Sequence, residues 1–503
     1  MIDVSLFQSE IIMKILQKYV SGCEVRAFGS RVTWTAKDYS DLDIAIVGKE
    51  KLSGDILFSI KEAFQESDLP FRVDVLDWHS ISKEFRAVIE KKYEVIQKKP
   101  LKTRFKKTEI GKIPEDWRLE IFSKVISVNP KRILKKSAIA KKVSMQKVFA
   151  GQRKINGFEV GEYGGGARFQ NNDTLMARIT PCLENGKIAF VDILDDEEVA
   201  FGSTEFNVLS GKEGISNDIY VYYLSKSPFV LLETISSMVG TSGRQRVQNV
   251  VFDNILIPVP PFSEQKAIAK ILSDLDSKIE LNQQMNKTLE SIGQALFKRW
   301  FVDFEFPDEN GNPYKTSSGE MVDSELGKIP KGWQASTLKE IIKITSGKRP
   351  SDKSYVRKSE FNIPLIGASS IMGYVRECLY TEPILIIGRV GTHGIVQRVS
   401  YPAFPSDNTL VIKSHYYNFV FHSLKRLDYS SLNVGTTQPL ITQSGIKQIE
   451  IIIPQDDILS KFEKTLMALY KSIDKNLSEI ETLSQIRDSL LPRLMSGRMR
   501  VCI

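Results

Sequence analysis

"GKIPEDW", from Gly111 to Trp117, returns further along the chain as "GKIPKGW", from Gly327 to Trp333. A phrase spelled twice marks the start of a unit that is itself repeated. Each copy opens a long stretch of short β-branched and aromatic runs punctuated by glycine, and each stretch ends in a proline followed by a strongly helical segment. Pro260 to Arg299 and Pro454 to Arg493 match without insertions, whereas the stretches before them differ in length. The order head, helix, head, helix therefore organises most of the chain.

The helical copies carry a seam. In the first, Ile268, Leu272, Leu275, Ile279, Asn282, Asn286, Leu289 and Leu296 follow the four-and-three spacing of a coiled coil. The second repeats it with Phe462, Leu466, Leu469, Ile473, Asn476, Ile480, Leu483, Arg487, Leu490 and Leu494. Asn282 and Asn476 share one seam position, where a buried amide fixes register if it finds a hydrogen-bonding partner. The simplest partner for each helix is the other copy. A pair related by a pseudo-twofold axis is antiparallel, and about 33 residues at 1.5 Å each make a rod of roughly 50 Å. The competing reading, two amphipathic helices packed on separate cores, leaves the shared heptad and the shared seam Asn unexplained.

The chain has 503 residues, of which 42% are hydrophobic and 26% charged, enough for several cores. The expected fold class is α+β and multidomain. No apolar run approaches the ~20 residues that cross a bilayer, and the N-terminus lacks a basic start with a cleavable apolar region, so a cytoplasmic protein with no membrane partner is expected. Cys23, Cys182, Cys378 and Cys502 lie far apart without a CxxC pair, which supports neither a disulfide framework nor a zinc site. A net charge of +8 is compatible with a polyanionic partner.

Head one contains "GGGARFQNNDTLMARITPCLENGK" (Gly164 to Lys187), "FGSTEF" (Phe201 to Phe206) and "GTSGRQRV" (Gly240 to Val247). Head two contains "TSGKRP" (Thr345 to Pro350), "IGRVGTHG" (Ile387 to Gly394) and "VGTTQPL" (Val434 to Leu440). Both read as mixed, mainly β, with exposed loops. Glycine lets backbone N–H groups approach phosphates, and forked or amide side chains read base edges. Arg168, Arg178, Arg244 and Arg246 in head one, with Lys348, Arg349, Arg389 and Gln438 in head two, are the candidate DNA contacts. The bland alternative is turn glycines with solvated charges, and the sequence leaves both open.

The doubled phrase, "NDTLMARITPCLENGK", "STEF", "GTSGRQRV", "PVPPFSEQKAIAKIL" and "ALFKRWFVDFEFP" (Ala295 to Pro307) together resemble the specificity subunit of a type I restriction-modification system, over residues 108 to 503. The resemblance implies two target recognition domains, each reading one half of a bipartite sequence in double-stranded DNA. The repeated helices would be the spacer that sets the half-site gap and docks two methyltransferase subunits. S-adenosylmethionine and ATP chemistry would reside on those subunits and on a restriction/translocase subunit. Residues 108 to 503 show no methyltransferase, helicase or nuclease motif, so this part is expected to be a non-catalytic reader.

About a hundred residues precede that resemblance. Helical periodicity in "SLFQSEIIMKILQKY" is followed by "VRAFGSR" (Val25 to Arg31), "SDLDIAIVG" (Ser40 to Gly48), a helix near Asp55 to Glu66, the strand "RVDVLDW" (Arg72 to Trp78) and a helix near Ser80 to Ile96. Residues i and i+2 of a strand share a side, so Asp41 and Asp43 can hold Mg²⁺ together, with Asp74 on a neighbouring strand as a third carboxylate. Gly29 and Ser30 would offer a tight turn and a hydroxyl to triphosphate oxygens. Carboxylates, metal and an NTP are what nucleotidyl transfer needs.

Gly29-Ser30, ten residues and Asp41-Leu42-Asp43 resemble the minimal nucleotidyltransferase family, members of which transfer a nucleotide to a protein in toxin-antitoxin pairs. That makes Ser30, Asp41, Asp43 and Asp74 the candidate catalytic residues, with Gly29 and Ser30 at the nucleotide. A solvent-facing acidic strand pair, or an inactive domain that only binds a partner, remains the alternative. The expected domains are residues 1–97 (nucleotidyltransferase-like, α/β), 98–110 (basic linker), 111–259 (recognition domain), 260–305 (spacer helix), 306–326 (connector), 327–453 (recognition domain) and 454–503 (spacer helix). Two readings compete: a sequence-specific DNA reader, and a nucleotidyltransferase delivered or regulated by its DNA-binding part.

Overall fold

The computed structural model describes residues 2–37, 40–98, 104–241, 243–389, 395–429 and 440–501. The chain divides into two compact units, Met1–Ser273 with Asp488–Ile503, and Asp274–Arg487. The architecture is α+β: an N-terminal α/β domain, two sheet-rich heads and two helices of 40 residues each, Phe262–Phe301 and Asp456–Met495. No helix among the described residues is long and apolar enough to cross a membrane.

In the N-terminal domain, a capping box of Ser5 and Gln8 starts helix Leu6–Val20. A four-stranded sheet follows in the order Val73–Asp77, Leu42–Val47, Glu24–Phe28, Glu94–Gln97. Strands Leu42–Val47 and Val73–Asp77 are parallel, which requires a crossover, and helix Gly54–Gln65 supplies it. Ile12, Leu16, Leu42, Ile44, Ile60 and Phe64 share its core.

The helix expected from Ser80 to Ile96 is shorter. A 3-10 turn at Trp78–Ser80 is followed by helix Lys83–Lys91, whose N-cap Ser82 accepts from the Phe85 N–H. Glu94–Gln97 then leaves the helix to pair with Glu24–Phe28, because an open sheet edge offered its β-branched run a ladder. Gln97 is buried and donates to the carbonyls of Val20 and Cys23 at 2.8 and 3.0 Å.

The 98–110 segment is not merely a tether. Its Phe105–Thr108 is a strand paired with Gly111–Pro114, and Met321–Ser324 pairs in the same way with Gly327–Pro330. Thr108 Oγ1 donates to the Gly111 carbonyl and Ser324 Oγ to the Gly327 carbonyl, both at 2.6 Å. Gly111 (φ +107°) and Gly327 (φ +93°) turn these hairpins through backbone conformations open to glycine. The doubled phrase is thus the second arm of a doubled hairpin.

Head one holds two four-stranded sheets, Glu159–Glu162 with Ile139–Val143, Ala200–Gly202 and Ala167–Phe169, and Ile188–Phe190 with Thr174–Ala177, Phe206–Gly211 and Ile126–Val128. Head two holds a four-stranded sheet, Lys343–Ser346 with Thr409–Lys413, Ile384–Gly388 and Val396–Val399, and a smaller sheet around Ile363–Ile366. Each head is closed by its own ends, Arg118–Ile121 pairing with Leu256–Val259 and Gln334–Thr337 with Glu450–Ile453. The chain therefore leaves each head beside its entry and turns directly into a long helix.

Within the first unit, Ile268 and Leu272 join Leu494 and Met495 in the core of head one. Glu264 is fully buried; it accepts from Trp117 Nε1 at 2.9 Å and from Arg500 Nε at 2.7 Å, and Arg500 also reaches Asp116. The second unit solves the corresponding position with apolar groups. Ile458 stands where the first copy has Glu264, Phe306 stands where it has Arg500, and the Phe306 ring stacks on Trp333 at 4.9 Å.

The second unit also shows how its two helical segments pair. Asp276 accepts from Arg487 at 2.6 Å, Asn286 from Asn476 at 2.9 Å, and Gly293 lies against Tyr470, so numbers rise on one helix as they fall on the other. Asn282 does not meet Asn476. An antiparallel pairing sets Asn476 opposite Asn286, while Asn282 donates to Glu479 at 2.9 Å. Arg487 and Gly293 occupy one position of the two copies, and Asp276 and Tyr470 another. An ion pair at one site and a glycine under a tyrosine at the other break the pseudo-symmetry and so favour a single register.

That glycine admits His422, whose ring stacks on Phe297 and whose Nε2 lies 2.8 Å from Tyr470 Oη. Burial first, then the Lys425 and Arg398 charges, push the His422 pKa down to about 3. In the unfolded chain it titrates near 6.5, so between about 6.5 and 3 the unfolded state binds a proton that the folded state refuses. Stability contributed by neutral His422 is full above that window and falls as pH drops through it, by about 2 kcal/mol at pH 5. Thermal melts should show this loss in the wild type and a flatter pH profile in His422→Gln.

Candidate active site and candidate nucleic-acid interface

The N-terminal domain brings its glycine turn against its acidic strand. Gly29 takes φ +81°, and a Cβ there would sit 2.4 Å from Asp43 Oδ2, so glycine is required both by conformation and by space. Ser30 starts the short helix Ser30–Thr33. Asp43 faces Asp74 in register across the parallel strands, and Asp41 precedes the strand by one residue. Burial, then the charges of Asp74 and Asp41, hold the Asp43 carboxyl above the usual range.

The three carboxylates do not form a ready-made metal cage, and among the described residues no group of three or more His, Cys, Asp or Glu is placed to hold a metal ion. Asp74 is instead paired with Arg72 at 2.9 Å. A cavity of about 650 Å³ opens beside it, lined among others by Lys61, Phe64, Phe71 and Arg72. Sequence reasoning missed Arg31. It is buried, donates to the Ser40 and Asp3 carbonyls at 2.8 Å each and lies 3.8 Å over the Phe71 ring. It thereby fixes the backbone next to Asp41; its place directly after Gly29-Ser30 was the available signal.

The structure separates the arginines of head one. Arg168, on strand Ala167–Phe169, and Arg178, just past strand Thr174–Ala177, share a cavity of about 300 Å³ with Asn129, Pro130, Gly166 and Thr204. Arg178 Nη2 donates to the Val247 carbonyl at 2.9 Å, while its buried Nε has no partner among the described residues. Arg246 is bound bidentately by Glu205, with contacts of 2.7 and 3.0 Å, so that charge is neutralised within the protein. Arg244 is exposed.

The glycines of this head serve packing as well as access. A Cβ on Gly166 would lie 2.0 Å from the Gly202 carbonyl, whereas Gly164 and Gly165 face open space. In head two, Lys348 and Arg349 are exposed beyond strand Lys343–Ser346. Arg389 is half-buried at the end of strand Ile384–Gly388, and its backbone bonds Asn408 and Ile441. Gln438 lies outside the described residues.

Comparison with known proteins places both parts. The type I restriction modification DNA specificity domain matches residues 114–291 and 330–483, and the polymerase beta nucleotidyltransferase domain matches residues 10–100. The chain is 27% identical to the type I restriction enzyme MjaIX specificity subunit of Methanocaldococcus jannaschii, over 79% of this chain and 97% of that protein. Its first segment is 50% identical to a probable protein adenylyltransferase, MntA, of Haemophilus influenzae, over 20% of this chain and 86% of that protein. The crystal structure of a type I restriction-modification S subunit from M. genitalium aligns with 75% of this chain and 96% of its own at 15% identity, with a TM-score of 0.46. With both copies of its head-and-helix unit matched, the chain belongs to the type I restriction-modification DNA specificity family and carries an N-terminal nucleotidyltransferase domain.

Proposed function

We propose that this protein selects a bipartite sequence in double-stranded DNA for a type I restriction-modification complex. Each head reads one half, and the 40-residue helices set the gap and dock methyltransferase subunits. The observation that carries this reading is the doubled unit: hairpin, closed head and helix, twice in the same order. S-adenosylmethionine and ATP belong to the methyltransferase and restriction subunits of that complex. A protein with two recognition heads on one chain reads two half-sites whose separation its own geometry imposes. Co-expression with the neighbouring methyltransferase subunit, followed by sequencing of methylated adenines in host DNA, tests it. Marks within one asymmetric bipartite word of fixed gap are expected; marks on a single undivided word would defeat the two-head reading.

The contact between Gly29 and Asp43 favours a second activity in the same chain, nucleotidyl transfer. The relative's name, a protein adenylyltransferase, suggests ATP as donor and a protein side chain as acceptor. The donor set is all oxygen, which suits Mg²⁺. Asp41 and Asp43 would hold it, joined by Asp74 once Arg72 lets go, and the ion would neutralise charge on the attacked phosphate and the leaving pyrophosphate. The chain's own residues do the rest: Gly29 keeps the backbone low enough to admit phosphate beside Asp43, Ser30 offers a hydroxyl donor, and Arg31 steadies the backbone before Asp41.

A further inference from the structure

Among the described residues of head one, three cavities that could meet a ligand differ in charge. One, of about 660 Å³, has both Lys212 and Asp253 on its lining, and another, of about 450 Å³, has both Lys142 and Glu162. The third, of about 300 Å³, is lined by Asn129, Pro130, Gly166, Ala167, Arg168, Arg178, Thr204, Phe206 and Val208, without a carboxylate. Glu205, the acid nearest in sequence, is held by Arg246.

We infer that this third cavity seats a backbone phosphodiester of the DNA, with Arg168 and Arg178 as its clamp and neither arginine reading a base. The inference rests on the DNA-binding reading above. Most of its donors are unspent: among the described residues no hydrogen bond or ion pair engages the Arg168 guanidinium, and Arg178, which gives Nη2 to the Val247 carbonyl, keeps a buried Nε without a partner. Asn129, by contrast, is already used, donating to Asn207 and accepting from the Val208 N–H, so it serves as wall. Phe206 and Val208 are buried and form an apolar floor, on which the attraction between guanidinium and phosphate is less screened than in water.

Shape decides between phosphate and base. Base edges lie at the floor of a groove ~8.5 Å deep, so a side chain must protrude to reach them. Phosphates are the outermost groups of the duplex, and a concave cationic site fits them. The close approach of Gly166 to the Gly202 carbonyl keeps the cavity rim bare of side chains at that point.

The experiment measures binding of the complex, this chain with its methyltransferase subunits, to a duplex bearing the methylated word and to one with both half-sites scrambled, across a salt series. Arg168→Ala should weaken both by the same factor, roughly threefold to tenfold, and make the slope of log K against log salt shallower by about 0.9. Arg168→Lys should retain most affinity and the full slope, since a phosphate accepts a point charge where a guanine needs the fork. Thr204→Asp, an exposed site at which a carboxylate leaves the core untouched, should weaken both duplexes further. The methylated word should be unchanged in all three variants. A word relaxed at one base pair in Arg168→Ala would make Arg168 a reader and overturn the inference, as would unaltered affinity and slope in both Arg168→Ala and Thr204→Asp. A wild-type complex that bound neither duplex would instead overturn the DNA reading together with this inference.

Discussion

Arg500→Ala is expected to lower the melting temperature of the unit that contains head one by about 10 °C. The reason is Glu264. Its carboxylate is fully buried and is satisfied by three donors: Arg500 Nε at 2.7 Å, Arg500 Nη2 at 2.9 Å and Trp117 Nε1 at 2.9 Å. Removing the guanidinium leaves a buried charge facing one neutral N–H, and breaking such a pair costs about 3–5 kcal/mol. The Arg500–Asp116 contact adds little, because Asp116 is half exposed and water screens it.

Glu264→Gln combined with Arg500→Met should recover most of the loss, since an amide can still accept from Trp117 and no charge is left behind. Differential scanning calorimetry of the wild type, Arg500→Ala and this double variant decides the matter. An Arg500→Ala melt within a degree or two of wild type would mean that Glu264 finds other partners at little cost, and the lock would be dispensable. The second unit provides the natural comparison, since it fills the equivalent positions with Ile458 and Phe306 and leaves the buried Trp333 Nε1 without a partner among the described residues. Two copies of one ancestral corner have thus reached opposite solutions, ionic and apolar.

Local pattern made the long helices and their seam legible. The seam residues recur at fixed steps, and Ile268, Leu272, Ile279, Phe462, Leu466 and Ile473 are all buried. The glycine turn and acidic strand were legible too, because a motif is short and its members are close in sequence. What the sequence concealed is partnership across distance. Nothing in "SGRMRV" says that Arg500 will find Glu264, or in "STEF" that Glu205 will bind Arg246, one of the four arginines of head one expected at DNA. Arg72 directly precedes the strand that carries Asp74, and only the structure shows the carboxylate paired with it while it also stands in register beside Asp43. The strand within the 98–110 linker was hidden for a related reason. Charged residues such as Lys106 and Lys107 suggest a solvated tether, but a strand on a two-stranded hairpin exposes most of its side chains, so polarity alone does not argue against pairing.

Asp43→Asn is expected to abolish NTP-dependent labelling of a protein acceptor, a drop on the order of a thousandfold, while leaving the pattern of DNA methylation intact. Asparagine preserves size and removes the charge that a metal and a polyphosphate require. The wild-type carboxyl, raised by burial and by its neighbours Asp74 and Asp41, should place the acid limb of the pH–activity profile above the ordinary Asp range, since protonation of Asp43 disables it at a higher pH. Gly29→Ala should do similar damage by a different route. The alanine must adopt φ +81° at a cost of about 1 kcal/mol, and its methyl would press on Asp43 Oδ2 from 2.4 Å, so the turn or the carboxylate must move. Its signature is therefore weaker NTP binding as well as a slower step, which separates it from Asp43→Asn. Both substitutions lie in residues 10–100, outside the segments matched by the specificity domain, which is why methylation serves as the internal control. Labelling that survives in Asp43→Asn would remove the acidic strand from any catalytic role, whereas loss of methylation in the same variant would show that the N-terminal domain is needed for the reader to assemble.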